Sequence, residues 1–321
     1  MSKPKLIVSM HFSAAYNSGG GVFDVARNVV SGLPSCAPGR FEVLEPDPSI
    51  QGGKAGKRGT LLRFWADIWL GFRHYFSPVV LLFPNYFCLP VPGARCKTVV
   101  VVHDIMFKHY PEYVKPAKQL ILDISYRIVK RFAHGVIFIS KDSERDFIQT
   151  YGEPRAYTTV YNPVVLKGAS PDTVRTVGPV GRPYVIANFH YYKHKNLPGL
   201  LRAFTAIQQA WPELQLVFTG NRTSQFDAAL AECPARDHVL HLGYLPKDQV
   251  MAVVRDATFI KSMSQFEGFN MSAAEAALLG KPLVLSSLPV HQELFADCAH
   301  FVDEAQGPID TAALISFVQN Y

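Results

Sequence analysis

The chain has 321 residues, 48% of them hydrophobic and 18% charged, which excludes a disordered polymer and predicts one large or two medium domains with sizeable cores. A formal net charge of +6 and a pI near 9.0 call for an anionic partner, and a nucleotide sugar, a lipid surface and a nucleic acid all qualify. The five cysteines are odd in number and form no Cys-x-x-Cys pair, so neither a zinc site nor a disulfide framework is supported.

The opening MSKPKLIVSM passes straight into a strand-like run without an apolar signal core, and no later stretch reaches the length of a membrane span. A cytoplasmic location is therefore expected. Short apolar runs at 6–10, 79–83, 98–103 and 136–139 alternate with longer helix-like stretches, the pattern of a parallel sheet with crossovers. Between the first run and the helix-like VFDVARNVVSGL lies the glycine cluster Gly19, Gly20 and Gly21, either a flexible turn or a phosphate-approaching loop. It is no dinucleotide fingerprint, because Asp24 stands where the last glycine would be required.

The segment 61–76, LLRFWADIWLGFRHYF, mixes aromatics with Arg63, Arg73 and His74. It reads equally as a core helix with a basic edge or as a stretch that touches a membrane surface or a lipid-linked acceptor. Lys57 is followed by Arg58, not Ser or Thr, so no P-loop is read there. Further on, Leu120, Ile121, Ile124, Ile128 and Phe132 recur at helical spacing and are expected to face the core, with Gly135 ending the helix. Ser140 is predicted to cap the next helix, with Asp142 and Glu144 in its first turn.

Residues 167–183 are rich in Gly, Pro, Ser and Thr without an apolar period, which predicts a boundary between domains 1–175 and 176–321. Beyond it the alternation restarts, with strands at 184–187, 214–219, 239–242 and 258–261 and helices at 196–210 and 247–255. The fold class is thus α/β. Ligands of open α/β sheets gather at the carboxyl ends of the strands. Three places there carry chemistry: His103 after TVVVV, the Lys195-Asn196 step before a helix, and EGFNMSAAEAALLG at 267–280. The last sets Glu267 and Glu275 eight positions apart around a Gly-Phe turn that opens a helix. Unpaired N–H groups at such a helix start favour an anion.

With its continuation GKPLVLSSLPVHQE, this segment resembles the retaining glycosyltransferases of family 4, whose signature is Glu-Gly-Phe, a short stretch, Glu-Ala and Gly-(Thr/Lys)-Pro. The chain departs from that pattern at Asn270 and Ser272, where small Gly or Cys and then Pro are usual, and at Asn188, where many relatives carry Arg. His190, Lys193 or His194 are candidates for that missing charge. The resemblance implies a GT-B fold of two Rossmann-like domains facing each other across a cleft, the first binding acceptor and the second binding a nucleotide sugar. It implies catalytic roles for His103, Lys195 and Glu267: His103 positions the transferred sugar, Lys195 meets the donor diphosphate and Glu267 lies beside the donor sugar. It places Glu275 on the ribose, Gly20 and Gly21 near donor phosphates or acceptor, Gly220 near the diphosphate and Gly243 beside the base. Asn196, Gly268, Phe269, Asn270 and Met271 complete the expected donor site.

The activity implied is retaining transfer of a hexosyl unit, mannose-like, from a GDP-, UDP- or dTDP-sugar to a glycan or lipid-linked acceptor in bacterial surface polysaccharide assembly. No metal and no cofactor are expected, since cationic side chains can do a divalent ion's electrostatic work. Relatives continue past ISFVQNY with a helix that crosses back to the first domain, so a further domain or subunit is also expected. The competing class is a nucleotide-sugar-binding subunit, or one module of a polymerising enzyme, without turnover of its own. Nucleic-acid binding rests on net charge alone and lacks any basic-aromatic module.

Overall fold

The computed structural model describes residues 4–11, 21–45, 56–85, 93–166, 179, 181–188, 192–303 and 309–321, with the side chains of 56–64 left aside. The chain divides into two compact units, Met1–Pro163 and Val164–Tyr321. Most of the expected linker, together with Gly20 and His190, lies outside the described residues.

The first unit runs β1 (Lys5–Ser9), α1 (Gly21–Cys36), β2 (Phe41–Leu44), α2 (Gly56–Arg73), β3 (Val79–Phe83), β4 (Lys97–Val102), α3 (Met106–His109), α4 (Pro116–Phe132), β5 (Gly135–Phe138), α5 (Lys141–Tyr151) and β6 (Tyr157–Thr159). Its strands are parallel in the order β2-β1-β3-β4-β5-β6. Alternate strand residues Leu81, Phe83, Val100, Val102, Val136 and Phe138 point to one face. There they join one core with Leu70 of α2, Leu122, Tyr126 and Val129 of α4, and Phe147 of α5, so these three helices form one layer.

The second unit runs β7 (Tyr184–Asn188), α6 (Leu197–Ala210), β8 (Gln215–Thr219), α7 (Ser224–Ala231), β9 (Val239–His241), α8 (Lys247–Asp256), β10 (Phe259–Ser262), α9 (Met271–Leu278), β11 (Leu283–Ser286), α10 (Pro289–Phe295), β12 (Ala299–Val302) and α11 (Thr311–Asn320). Its sheet is also parallel, in the order β12-β11-β10-β7-β8-β9. Val185, Leu216, Phe218, Phe259 and Val284 meet the apolar stripe of α6, in which Leu200, Leu201, Phe204 and Ile207 are buried. Both units are Rossmann-like, as expected from the alternating runs.

Ser140 caps α5 through its hydroxyl, which accepts from the Ser143 N–H at 3.1 Å, with Asp142 and Glu144 in the first turn. Two expectations about α4 are corrected. The helix stops at Ala133, whose extended backbone (φ −62°, ψ 140°) turns directly into β5, and Gly135 is simply the first residue of that strand. The stripe of Leu120, Ile121, Ile124 and Phe132 is exposed, and the face turned to the sheet carries Leu122, Ser125, Tyr126 and Val129. The reason lies in Tyr126, which offers a large ring to Phe107, Phe147 and Tyr151 and a hydroxyl that donates to the Asp104 carbonyl at 2.5 Å. Both faces of α4 are apolar enough to pack, and only this one also places a polar tip.

Candidate functional site

The end of β10 leads into 263–270 and then into α9, and this turn carries a connected polar network. Lys195, at the end of a short 3-10 turn, donates to Glu267 Oε1 at 2.5 Å, and the Ser264 hydroxyl donates to the same oxygen at 2.7 Å. Burial alone would raise the Glu267 carboxyl. The charge and hydrogen bond of Lys195, helped by Ser264, outweigh it and hold the group below its ordinary 4.5. Glu267 is therefore ionised at neutral pH. A cavity of about 30 Å³, room for roughly one water, lies beside the pair and is lined also by Lys261, Ser262, Asn270 and Ser272.

Asn270 adopts the left-handed conformation (φ 67°, ψ 70°), which Asn tolerates better than most residues, and caps α9 by accepting from the Ala273 N–H at 3.2 Å. That bond fixes the amide orientation, leaving its NH₂ to donate to His291 Nε2 at 2.9 Å. His291 in turn contacts the Ser286 carbonyl through Nδ1 at 2.8 Å. A carbonyl only accepts, so His291 is the neutral Nδ1–H tautomer. The αL turn before α9 is thereby anchored to the end of β11. Asn270→Ala removes the cap and keeps the backbone penalty, and is expected to cost about 2 kcal/mol; an unchanged thermal melt would show that the network carries no stability.

On α9, Glu275 is buried and accepts from Lys247 Nζ at 2.6 and 2.7 Å through its two oxygens. Neither Lys247 nor His291 stood out in the sequence, where their partners lie 28 and 21 positions away. His291 lies within the run GKPLVLSSLPVHQE that carries the resemblance, but the run does not tell what its ring holds. Lys261, buried on β10, was also missed, because a cation inside a strand run reads as an edge residue.

The remaining expected residues are placed as follows. Asn196 is left-handed (φ 52°) and caps α6, its side chain accepting from the Gly199 N–H at 3.1 Å. Gly220 directly follows β8 and Gly243 lies two residues past β9, both with positive φ (111° and 74°), and the Gly220 N–H donates to the Gly243 carbonyl at 2.8 Å. The turn alone thus explains both glycines. Gly268 and Phe269 are buried, and Met271 is the first residue of α9. His194 cannot supply the charge missing at Asn188: burial first, then the neighbouring Lys195, lower its pKa to about 4, so it is neutral. Lys193 and Lys195 are the cations of that turn.

In the first unit, His103 follows β4 directly and is buried. Its Nε2–H donates to the Pro84 carbonyl at 2.9 Å, and its own carbonyl accepts from the Ser143 hydroxyl at 2.9 Å. Burial lowers its pKa to about 4, against the small opposing effect of the Pro84 bond, so the unperturbed value that would suit a proton shuttle is not retained. Gly21 begins α1, and a Cβ there would meet nothing within 4 Å. Among the described residues no group of three or more His, Cys, Asp or Glu is gathered to hold a metal ion, and no helix is long and apolar enough to cross a membrane.

Each unit is a Rossmann-like parallel α/β sheet, and the second carries an ionised Glu beside a Lys before a helix start. Residues 176–312 match the family described as Glycosyl transferases group 1, so the second unit carries a glycosyltransferase domain. The chain is 22% identical over 248 residues to O-antigen chain mannosyltransferase B of Escherichia coli, an alignment covering 74% of this chain and 64% of that protein. Among solved structures it is similar to sucrose-phosphate synthase from Thermosynechococcus elongatus (17% identity, TM-score 0.69, covering 99% of this chain and 89% of that one). It is likewise similar to HepE from Anabaena in complex with UDP and glucose (18%, 0.64, 99% and 89%) and to WaaG, a glycosyltransferase involved in lipopolysaccharide biosynthesis (13%, 0.63, 98% and 90%). At these identities the likeness establishes the fold, the two Rossmann-like halves of the GT-B class.

Proposed function

We propose that the protein is a retaining glycosyltransferase of family 4 that moves a hexosyl unit, mannosyl first among them, from a nucleotide-diphosphate sugar to a hydroxyl of a glycan or lipid-linked acceptor in bacterial surface polysaccharide assembly. The observation that carries this reading is the part-buried Lys195–Glu267 pair at the turn into α9, with Glu275 farther along the same helix. The O-antigen relative favours the mannosyl unit and the setting, and HepE, solved with UDP-glucose, favours a nucleotide-sugar donor.

In this reading the leaving diphosphate sits at the first N–H groups of α9, where the helix end carries about half a positive charge. Lys195 is the mobile cation. In the resting state it neutralises Glu267, and with donor bound it shifts toward the diphosphate, where charge develops as the glycosidic bond breaks. Glu267, still accepting from the Ser264 hydroxyl, then faces the positive charge growing on the anomeric carbon, and the acceptor hydroxyl attacks from the face the diphosphate leaves: its oxygen bonds the anomeric carbon as the bond to the diphosphate oxygen breaks, and its proton passes to that departing oxygen. Lys195 does the electrostatic work a divalent ion would otherwise do. Glu275 is an acceptor-only carboxylate suited to two ribose hydroxyls, with Lys247 holding it in place until they arrive. In the first unit, neutral His103 positions the sugar through a hydrogen bond.

Calorimetric titration with GDP-, UDP- and dTDP-sugars tests this. One nucleotide class is expected to bind saturably, and Glu275→Ala to weaken it by about tenfold or more, the loss of hydrogen bonds to a charged group. Failure of all three to bind the folded chain, or equal binding by the variant, would overturn the assignment. The anomeric configuration of the product, read by NMR, decides retention.

A further inference from the structure

The exposed side of α2 and α4 is apolar where a surface helix should be polar. On α2, Trp65, Trp69 and Phe72 share one stripe at i, i+4 and i+7 and are 61%, 58% and 63% exposed. The inward side of the same helix is fixed independently, because Leu70 joins the core and buried Asp67 accepts from the Ser9 hydroxyl at 2.9 Å and contacts His11 Nδ1 at 3.0 Å. The aromatic stripe therefore cannot turn inward. On α4, Leu120 is 61% and Ile124 46% exposed, with Ile121 beside them, while Tyr126 and Val129 hold the opposite face in the core. Both helices lie in one layer on the same side of the first unit's sheet, so the two stripes belong to one surface. Apolar patches of this kind mark interaction sites.

Charge says what covers it. Among the described side chains, Arg73 of α2 and Lys118, Arg127, Lys130 and Arg131 of α4 are basic, against Asp123 and the buried Asp67. Arg73 lies over the Trp69 ring at 5.1 Å and Arg131 over Phe132 at 5.4 Å, so cations are interleaved with exposed rings. Two copies meeting through this face would oppose like charges. A nucleic acid would match the charge but leave Leu120, Ile121 and Ile124 without an apolar partner. An anionic bilayer satisfies both, with rings and aliphatic side chains at the acyl boundary and Lys and Arg among the headgroups.

We infer that the α2–α4 face is a peripheral docking surface for an anionic lipid bilayer. It holds the first unit at the surface in which a lipid-linked acceptor would be presented, and it does not depend on the proposed transfer reaction.

The test is co-sedimentation of the purified full chain with vesicles of phosphatidylcholine alone and of phosphatidylcholine mixed with phosphatidylglycerol. The anionic vesicles are expected to take the protein down and the neutral ones to leave it in solution, with binding falling as salt is raised. Trp65→Ser combined with Trp69→Ser and Phe72→Ser should weaken partition by roughly tenfold or more. Lys118→Glu with Arg131→Glu, both exposed positions, should do the same through charge. Where a variant fails to fold, the wild type reports directly: two of its three tryptophans are on this face, so brominated anionic lipid should quench its fluorescence. Absence of binding to anionic vesicles, equal binding by a folded variant, or no quenching would overturn the inference. So would light scattering that shows a dimer lost in the aromatic variant, or binding of poly(U) RNA in place of vesicles that the same substitutions abolish.

Discussion

Lys195→Ala is expected to lower glycosyl transfer by about 10²- to 10³-fold, the scale on which one preorganised charge acts on a developing anion, and to destabilise the second unit as well. Removing one partner of a buried pair leaves the other charged and unpaired, which costs about 3–5 kcal/mol; the 23% exposure of the Lys195 side chain reduces this to about 2. The double variant Lys195→Ala with Glu267→Ala should regain much of that stability while staying inactive, since no buried charge is then orphaned.

The pH dependence separates this from a general packing defect. In the wild type the Glu267 carboxyl is depressed below 4.5, so its contribution is fully present above pH 4.5 and is lost as pH falls through the lower folded value. Without Lys195, burial dominates and moves the folded carboxyl above its ordinary value. The variant should therefore lose stability as pH rises, the opposite slope. Urea unfolding of both proteins across the carboxylate range decides it, and parallel slopes would sink the account.

Acid lability from two buried histidines is the second large effect. His103 and His194 are each lowered from 6.5 to about 4, chiefly by burial. Between those values the unfolded chain binds protons that the folded chain refuses. Stability is thus complete above pH 6.5 and falls steadily toward pH 4, by up to about 3 kcal/mol for each histidine at 1.36 kcal/mol per unit. His103→Gln, whose amide N–H can still donate to the Pro84 carbonyl, should flatten this dependence at some cost in stability at pH 7. A variant whose stability falls with acid as steeply as the wild type would remove His103 from the explanation. Because the two histidines lie in different units, two acid transitions are expected by calorimetry, and His103→Gln should flatten only that of the first unit.

How much of this was legible beforehand depends on the range over which each cause acts. The turn at Glu267 and the cap at Ser140 could be read directly, because a strand end, a glycine and a helix start follow each other within a few residues and their chemistry is local. The alternation of short apolar runs with helical stretches gave two parallel sheets for the same reason, since a parallel strand must be apolar on both sides and its return helix must follow it.

What the amino-acid order alone determined is therefore the α/β class, the two Rossmann-like halves and the positions of the residues at strand ends. Only the tertiary structure decided what those residues meet: Lys195 on Glu267 across 72 positions, Lys247 on Glu275, and Asn270 on His291. It also decided protonation, because desolvation depends on everything packed around His103 and His194. And it decided which side of α4 faces the sheet. Periodicity reports that a helix has an apolar stripe, but α4 has two, and the choice between them went to the side where Tyr126 both fills the aromatic cluster and satisfies its hydroxyl. The stripe of Leu120, Ile121 and Ile124 was thereby left facing outward.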